Sequence, residues 1–158
     1  MFDLGQTLIQ ENTALDDPPK LMPGVREAIA RVALPMGIWA NTRHSTSDDV
    51  REWLSKIRID AHFRWIVTSF EIGWRKPAPE FFNQALAQCN VRASEVLFVG
   101  NQLNTDIIGA QSVGIATVYL ADPIYRSTDD AITPEAQPTY TISTLFELPA
   151  LVAGILEM

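Results

Sequence analysis

The stretch that decides the fold is residues 96–120, which read VLFVGNQLNTDIIGAQSVGIATVYL. Residues 96–99 form an apolar, β-branched run before a glycine, which predicts a buried strand. Residues 105–113 have the pattern of a helix, and Gly114 lies where helices commonly end. Residues 115–120 predict the next strand. A strand, a helix and a second strand in this order are typical of two parallel strands joined by a helical crossover.

The same alternation extends over the rest of the chain. Further strands are predicted at residues 36–40, 65–68 and 140–142, and helices at residues 23–32, 48–57, 79–89 and 144–156. The polar residues 123–138 are interpreted as a surface loop. We therefore expect an α/β fold, a three-layer αβα sandwich with a Rossmann-like, doubly wound parallel sheet. A length of 158 residues without a repeat or a change in composition predicts one domain over residues 1–158.

Charge and composition exclude some classes of partner. The net charge of −7 argues against a nucleic-acid partner, because nucleic-acid binding usually needs a basic patch. The absence of a long apolar run predicts no membrane association. The single cysteine, Cys89, lies in a helical pattern and is interpreted as structural. A lone cysteine and the lack of a secretory signal pattern predict a cytoplasmic protein.

Polar residues stand at the ends of several predicted strands, where parallel sheets bind ligands. Asp3 could be a nucleophile, with Gly5 allowing backbone N–H groups to face an anion and Thr7 adding a hydroxyl. Alternatively, Asp3 caps a turn that Gly5 permits. Asn41 and Thr42 could bind phosphate oxygens, or they could cap the following helix.

Two further segments suit an anionic substrate and a cation. Lys76 lies beside Pro77 and Pro79, which hold a stiff segment that could direct one positive charge into a cleft. It could equally be a solvated surface lysine. The side-chain oxygens of Asn101 and Asp106 could help to hold a hard cation such as Mg²⁺, or these residues could serve the start of a helix.

Four motifs in this order resemble those of the haloacid dehalogenase-like (HAD) hydrolase superfamily, from residue 2 to about residue 120. The segment 3–7, DLGQT, matches the family pattern Asp-x-Asp-x-Thr at its first and last positions. The second motif ends a strand with Ser or Thr, where this chain has Ala40 followed by a matching Asn41. The segment 73–82, GWRKPAPEFF, matches the lysine motif, and residues 100–115 match the fourth motif apart from Asn101.

This resemblance implies a phospho-aspartyl mechanism. Asp3 would attack phosphorus and Lys76 would neutralise charge, so these two residues are the expected catalytic pair. Substrate contacts are expected from Asn41, Thr42 and Thr7. A Mg²⁺ ion would be held by Asp3, the backbone carbonyl of Gly5, Asn101 and Asp106.

Three departures from the family pattern predict a degenerate, slow active site. Gly5 stands where the family has a second acid, and loss of general acid–base help lowers rates by roughly 10²- to 10⁴-fold. Asn101 removes a negative charge from the cation site, which weakens its attraction for Mg²⁺. Ala40 lacks a hydroxyl that would contact phosphate.

Residues 8–22 are too few for a folded cap domain, so an open site is expected. An open site favours a phosphoprotein substrate as well as a phosphorylated small molecule, or a lid supplied by a homodimer or another partner chain. Only Met1 and Phe2 precede Asp3, so the first strand is predicted to be truncated at the N-terminus.

We expect a weak Mg²⁺-dependent phosphatase acting on phosphate monoesters. The alternative is a catalytically inactive protein of the same fold that binds a phosphorylated ligand or a protein partner. Hydrolysis at carbon, as in the dehalogenases, ranks last because those enzymes enclose their substrate with a cap.

Overall fold

The computed structural model describes residues 1–10, 18–125 and 134–158. Within these residues, five parallel strands alternate with helices. The strands are β1 Met36–Ala40, β2 Phe63–Thr68, β3 Leu97–Gly100, β4 Ala116–Leu120 and β5 Tyr140–Ile142. The helices are α1 Val25–Arg31, α2 Ser47–Ser55, α3 Ser69–Ile72, α4 Pro79–Cys89, α5 Gly109–Ser112 and α6 Leu148–Leu156, with a π-helical segment at Leu103–Ile108.

The N-terminal residues occupy the centre of the sheet. Phe2 forms parallel bridges to Ile38 of β1 on one side and to Val99 of β3 on the other. Its N–H donates to the carbonyl of Gly37 at 2.8 Å, and the N–H of Asp3 donates to the carbonyl of Val99 at 2.8 Å. With β1 paired to β2, and β4 between β3 and β5, the strand order is β2–β1–N-terminus–β3–β4–β5.

Each face of this sheet carries its own hydrophobic core, which confirms the predicted αβα arrangement. Neighbouring strand residues alternate between the two faces: Ile38 belongs to one core and Trp39 to the other. Buried residues of α1, α2 and α6 lie in the core that contains Ile38. Buried residues of α4 and α5 lie in the core that contains Trp39. A period of two along the strands and apolar faces on the helices dictate this division.

The structure adds details that the sequence did not indicate. The segment between Asp3 and α1 contains an antiparallel bridge between Ile9 and Leu21, with the N–H of Met22 donating to the carbonyl of Leu8 at 2.9 Å. The short helix α3 follows β2 directly, capped by the Thr68 side chain. Part of the predicted surface loop, residues 126–133, lies outside the described residues.

Candidate active site

Asp3, Lys76 and Asp106 meet at the carboxyl edge of the sheet. The Lys76 Nζ lies 2.8 Å from Asp3 Oδ1 and 2.7 Å from Asp106 Oδ1. The side chains of Lys76 and Asp106 are each 1% exposed, whereas that of Asp3 is 13% exposed. Asp3 is therefore the one carboxylate of the pair that solvent or a ligand can reach.

Burial and mutual attraction shape the charges of this cluster. Burial disfavours the charge on Lys76, but the neighbouring Asp106 and Asp3 carboxylates outweigh it and raise the pKa of the ammonium group. Burial, and then repulsion from Asp3, raise the pKa of Asp106 to about 6, against the opposing attraction of Lys76. Above this pH two carboxylates share one ammonium, so the cluster carries one net negative charge.

The loop after β3 fixes Asp106. Its Oδ2 accepts hydrogen bonds from the backbone N–H groups of Asn101 and Gln102, both at 3.1 Å. A Cβ placed on Gly100 would lie 2.5 Å from the Asp106 side chain, so glycine is required for this close approach. Both carboxylate oxygens of Asp106 are therefore engaged within the protein, which makes it a holder of Lys76 and of the loop.

Asn41 positions the lysine segment. Its Oδ1 accepts from the Lys76 N–H at 2.8 Å, and its Nδ2 donates to the Lys76 carbonyl at 3.0 Å. The side chain thus forms the two hydrogen bonds that a neighbouring strand would form. The Lys76 ammonium also lies 5.1 Å from the centre of the Phe98 ring, which adds a cation–π contact on the buried side.

Ser69 and Arg75 hold the loop that follows β1. The Thr42 N–H donates to Ser69 Oγ at 2.9 Å, and Ser69 Oγ donates back to the Thr42 carbonyl at 3.0 Å. Arg75 donates to the same carbonyl at 3.1 Å. The Thr42 hydroxyl itself donates to the carbonyl of Ser45 at 2.8 Å. Thr42 remains half-buried.

Thr7, Gly5 and Asn101 surround the second oxygen of Asp3. The buried Thr7 hydroxyl lies 3.2 Å from Asp3 Oδ2 and 3.3 Å from the Asn101 amide. The inward-facing atom of that amide lies 3.1 Å from Asp3 Oδ2 and 3.2 Å from the Gly5 carbonyl oxygen. If this atom is oxygen, three oxygens converge; if it is nitrogen, the amide donates hydrogen bonds to both neighbours.

The chemistry of these groups fits a small divalent cation. Mg²⁺ prefers oxygen ligands at 2.0–2.1 Å in octahedral geometry, which places adjacent ligand oxygens about 2.9 Å apart. The spacings of 3.1 and 3.2 Å from the Asn101 amide are close to that value. Among residues 1–10, 18–125 and 134–158, however, no group of three or more His, Cys, Asp or Glu could hold a metal ion. The donors are thus one carboxylate and two uncharged oxygens.

A cleft of about 550 Å³ adjoins the site on the side of Thr42. Its wall includes Thr42 together with two basic residues, Arg43 and Lys56, and two acidic residues, Asp49 and Glu52. The formal charges of these two basic and two acidic residues cancel, so the wall of the cleft does not by itself select an anionic ligand.

The residues predicted for the site all lie in this region. They are Asp3, Gly5, Thr7, Asn41, Thr42, Lys76, Asn101 and Asp106. Their assignment to catalysis, substrate and metal stays a prediction. The geometry gives Asn41, Thr7 and Asp106 hydrogen bonds that hold the other site residues. Sequence reasoning missed Ser69, although a hydroxyl residue directly after a strand is a recognisable cap signal.

Comparisons with known proteins bear on this arrangement. A family model described as haloacid dehalogenase-like hydrolase matches residues 1–120. The ribulose-1,5-bisphosphate 5-phosphatase of Halopiger xanaduensis is 34% identical over 137 residues, which cover 84% of this chain and 57% of that protein. The chain spans about half the length of the curated relatives it matches.

Solved structures share the fold. A protein described as uncharacterized from Listeria monocytogenes serotype 4b superposes with a TM-score of 0.84 at 22% identity, covering 99% of this chain and 97% of that one. The HAD-hydrolase YfnB of Bacillus subtilis, solved bound to magnesium, gives a TM-score of 0.68 at 25% identity and covers 84% of this chain and 56% of its own.

Within the described residues, the structure contains no helix long and apolar enough to cross a membrane.

Proposed function

Because the chain belongs to the haloacid dehalogenase-like hydrolase family, we propose that it hydrolyses phosphate monoesters slowly, with Asp3 as the nucleophile. One observation carries this proposal: Asp3 directly follows Phe2, which bridges β1 and β3, and is partly exposed with its Oδ1 2.8 Å from the Lys76 ammonium. A nucleophile held rigidly beside a buried cation is suited to attack on an anionic group.

The site residues have different roles in the reaction. An Asp3 oxygen attacks phosphorus, and the alcohol leaves with a proton taken from water, which gives a phosphorylated Asp3. Lys76 offsets the negative charge that gathers on the phosphoryl oxygens. Asn41 and Asp106 keep Lys76 in place through its backbone and its ammonium group. A water molecule then attacks the phosphorus of the phosphorylated Asp3, releasing phosphate and restoring the carboxylate.

A Mg²⁺ ion, when bound, would supply further positive charge next to the phosphoryl group. Asp3 Oδ2, the Gly5 carbonyl and Asn101 Oδ1 are the groups placed to hold it. The substrate would be a phosphorylated small molecule or a phosphoprotein, received at the cleft of about 550 Å³ beside Thr42, whose wall carries both basic and acidic side chains.

Slow turnover follows from Gly5. A Cβ added at this position would meet no atom within 4 Å, so the space that a second acid would use is open. No side chain of residue 5 protonates the leaving group or activates water. This observation also favours the second candidate, a protein that binds phosphorylated ligands without turnover.

The test is phosphate release from p-nitrophenyl phosphate and acetyl phosphate with Mg²⁺, for wild type and Asp3→Asn. Asp3→Asn keeps the shape of the side chain and removes its nucleophilic charge, so release should fall to the buffer rate. Asp60→Asn makes the same chemical change just before β2, at the opposite edge of the sheet, and should leave release unchanged. Equal traces of phosphate from wild type and Asp3→Asn would refute catalysis and leave the binding function.

A further inference from the structure

We propose that the Asn101 carboxamide takes the place of the cation when no cation is bound, and must rotate before one can bind. The inference builds on the cation site of the proposed function but does not require turnover. In the cation-free orientation its NH₂ group donates to Asp3 Oδ2 and to the Gly5 carbonyl oxygen, at 3.1 and 3.2 Å. In the cation-bound orientation its oxygen faces the same two oxygens and serves as the third ligand.

The first argument is the balance of donors and acceptors. If the Asn101 oxygen faces inward without a cation, it lies 3.1 Å from Asp3 Oδ2 and 3.2 Å from the Gly5 carbonyl oxygen with no hydrogen in either contact, and the Thr7 hydroxyl at 3.3 Å is its donor. The two contacts without a hydrogen repel, and Asn101 is only 4% exposed, so water relieves little of the repulsion. Rotating the amide by about 180° converts both contacts into hydrogen bonds.

The second argument is that every oxygen of the Asp3 carboxylate then has a hydrogen-bond donor. Lys76 satisfies Asp3 Oδ1, while the Thr7 hydroxyl and the rotated amide satisfy Asp3 Oδ2. The backbone N–H of Asn101 donates to Asp106 in either orientation, so rotation of the side chain leaves the loop in place. The nucleophile is therefore held in position without a metal.

An aspartate at position 101 could not act in this way. A carboxylate offers no donor, and its charge would stand beside Asp3 in a cluster that already carries one excess negative charge. With aspartate at position 101, the folded protein would need the cation for its stability. With asparagine, the site binds the cation more weakly but keeps its hydrogen bonds when no cation is bound.

The experiment compares thermal unfolding of wild type, Asn101→Asp and Asn104→Asp, each in EDTA and in 10 mM MgCl₂. Asn104 is exposed on the same π-helical segment, so Asn104→Asp adds an equal charge away from the site. We expect Asn101→Asp to unfold several degrees below wild type in EDTA and to gain more from Mg²⁺ than wild type does. Asn104→Asp should follow wild type in both buffers. Calorimetric titration should give Asn101→Asp a Kd for Mg²⁺ at least tenfold lower than that of wild type.

A second readout needs no stable variant. The side-chain NH₂ resonances of Asn101 in ¹⁵N-labelled wild type, identified by their loss in Asn101→Ser, should shift when Mg²⁺ is added. The proposal is overturned if Asn101→Asp is as stable as wild type in EDTA, or if both bind Mg²⁺ equally or not at all. It is also overturned if Mg²⁺ binds wild type without moving these resonances. None of these measurements uses turnover, so an inactive wild type would refute the phosphatase while leaving this inference to stand or fall separately.

Discussion

Lys76 is the residue that holds the candidate site together. Its ammonium group bridges carboxylates from two separate parts of the chain, Asp3 next to the bridging residue Phe2 and Asp106 in the π-helical segment. Because all three charges are largely withdrawn from water, the energy of each depends on the protonation of the others. The stability of the protein should therefore respond to the protonation of this cluster.

The first prediction concerns Asp106 and pH. Burial raises the pKa of Asp106 to about 6 in the folded protein, above its ordinary value of 3.8. Between these values the folded state holds a proton that the unfolded state has lost, so the contribution of Asp106 to the free energy of unfolding falls as pH rises and is level above about 6. Urea denaturation from pH 4 to pH 7.5 should show wild type losing stability relative to Asp106→Asn over that window. Parallel curves for the two proteins would contradict the shift.

The second prediction restores the missing acid. A side chain at position 5 enters open space, so Gly5→Asp should fold as wild type does. If the added carboxyl group protonates the leaving group and later activates water, kcat with p-nitrophenyl phosphate should rise by roughly 10²- to 10⁴-fold. Gly154→Asp, which adds the same group to α6, should leave kcat unchanged. An unaltered kcat in Gly5→Asp would mean that the acid is not what limits turnover.

Sequence spacing identified which residues lie at the site but not which hydrogen bonds they make. Asp3, Lys76 and Asp106 follow strands or stiff segments, and parallel strands bring such positions to one edge. The bonds of Asn41 to the Lys76 backbone span 35 residues, and the contact of Thr7 with Asn101 spans 94. Pairings over such separations depend on the tertiary packing, which a motif does not specify.

At the scale of elements, the turn between β3 and the following helix positions Asp106 in the site. The sequence predicts a helix from residue 105 to residue 113, and the structure has a π-helical segment at Leu103–Ile108 followed by α5. Helical periodicity cannot separate these forms, because they differ in backbone hydrogen bonding rather than in apolar pattern. The glycine before the turn was recognised as the end of a strand, but its closeness to Asp106 was not.

The third prediction tests that closeness. Gly100→Ala would place a Cβ 2.5 Å from the Asp106 side chain, so Asp106 must shift and its bonds to Lys76 and the loop must loosen. We expect overpacking to cost about 1–3 kcal/mol in the free energy of unfolding and to lower phosphatase activity. Gly154→Ala, which meets no neighbouring atom in α6, should instead gain up to about 1 kcal/mol, as usual for this exchange in a helix. Similar denaturation midpoints for the two variants would contradict the packing argument.

At the scale of the whole molecule, a very short segment at the centre of the sheet connects two groups of strands. Strands β1 and β2 form one group and β3, β4 and β5 form the other, and the residues around Phe2 bridge the two. The alternation of strands and helices predicted a parallel sheet but could not give the strand order, because order depends on which strands pair in space. This bridging position also places Asp3 between the loops that carry Lys76 and Asp106.

The fourth prediction follows from this central position. Phe2 is 3% exposed, and its ring packs edge to face against Phe63 of β2, with the ring centres 6.2 Å apart. Phe2→Ala should leave a cavity in the core that also contains Ile38 and Phe63, and should cost about 3–5 kcal/mol in the free energy of unfolding. Phe146→Ala removes the same group at a position that is 54% exposed, and should cost about 1 kcal/mol or less. Because Asp3 is the next residue, Phe2→Ala should also lower phosphate release under conditions in which it remains folded, whereas Phe146→Ala should not. Equal urea midpoints for the two variants would contradict the expectation that burial of the Phe2 ring stabilises the fold.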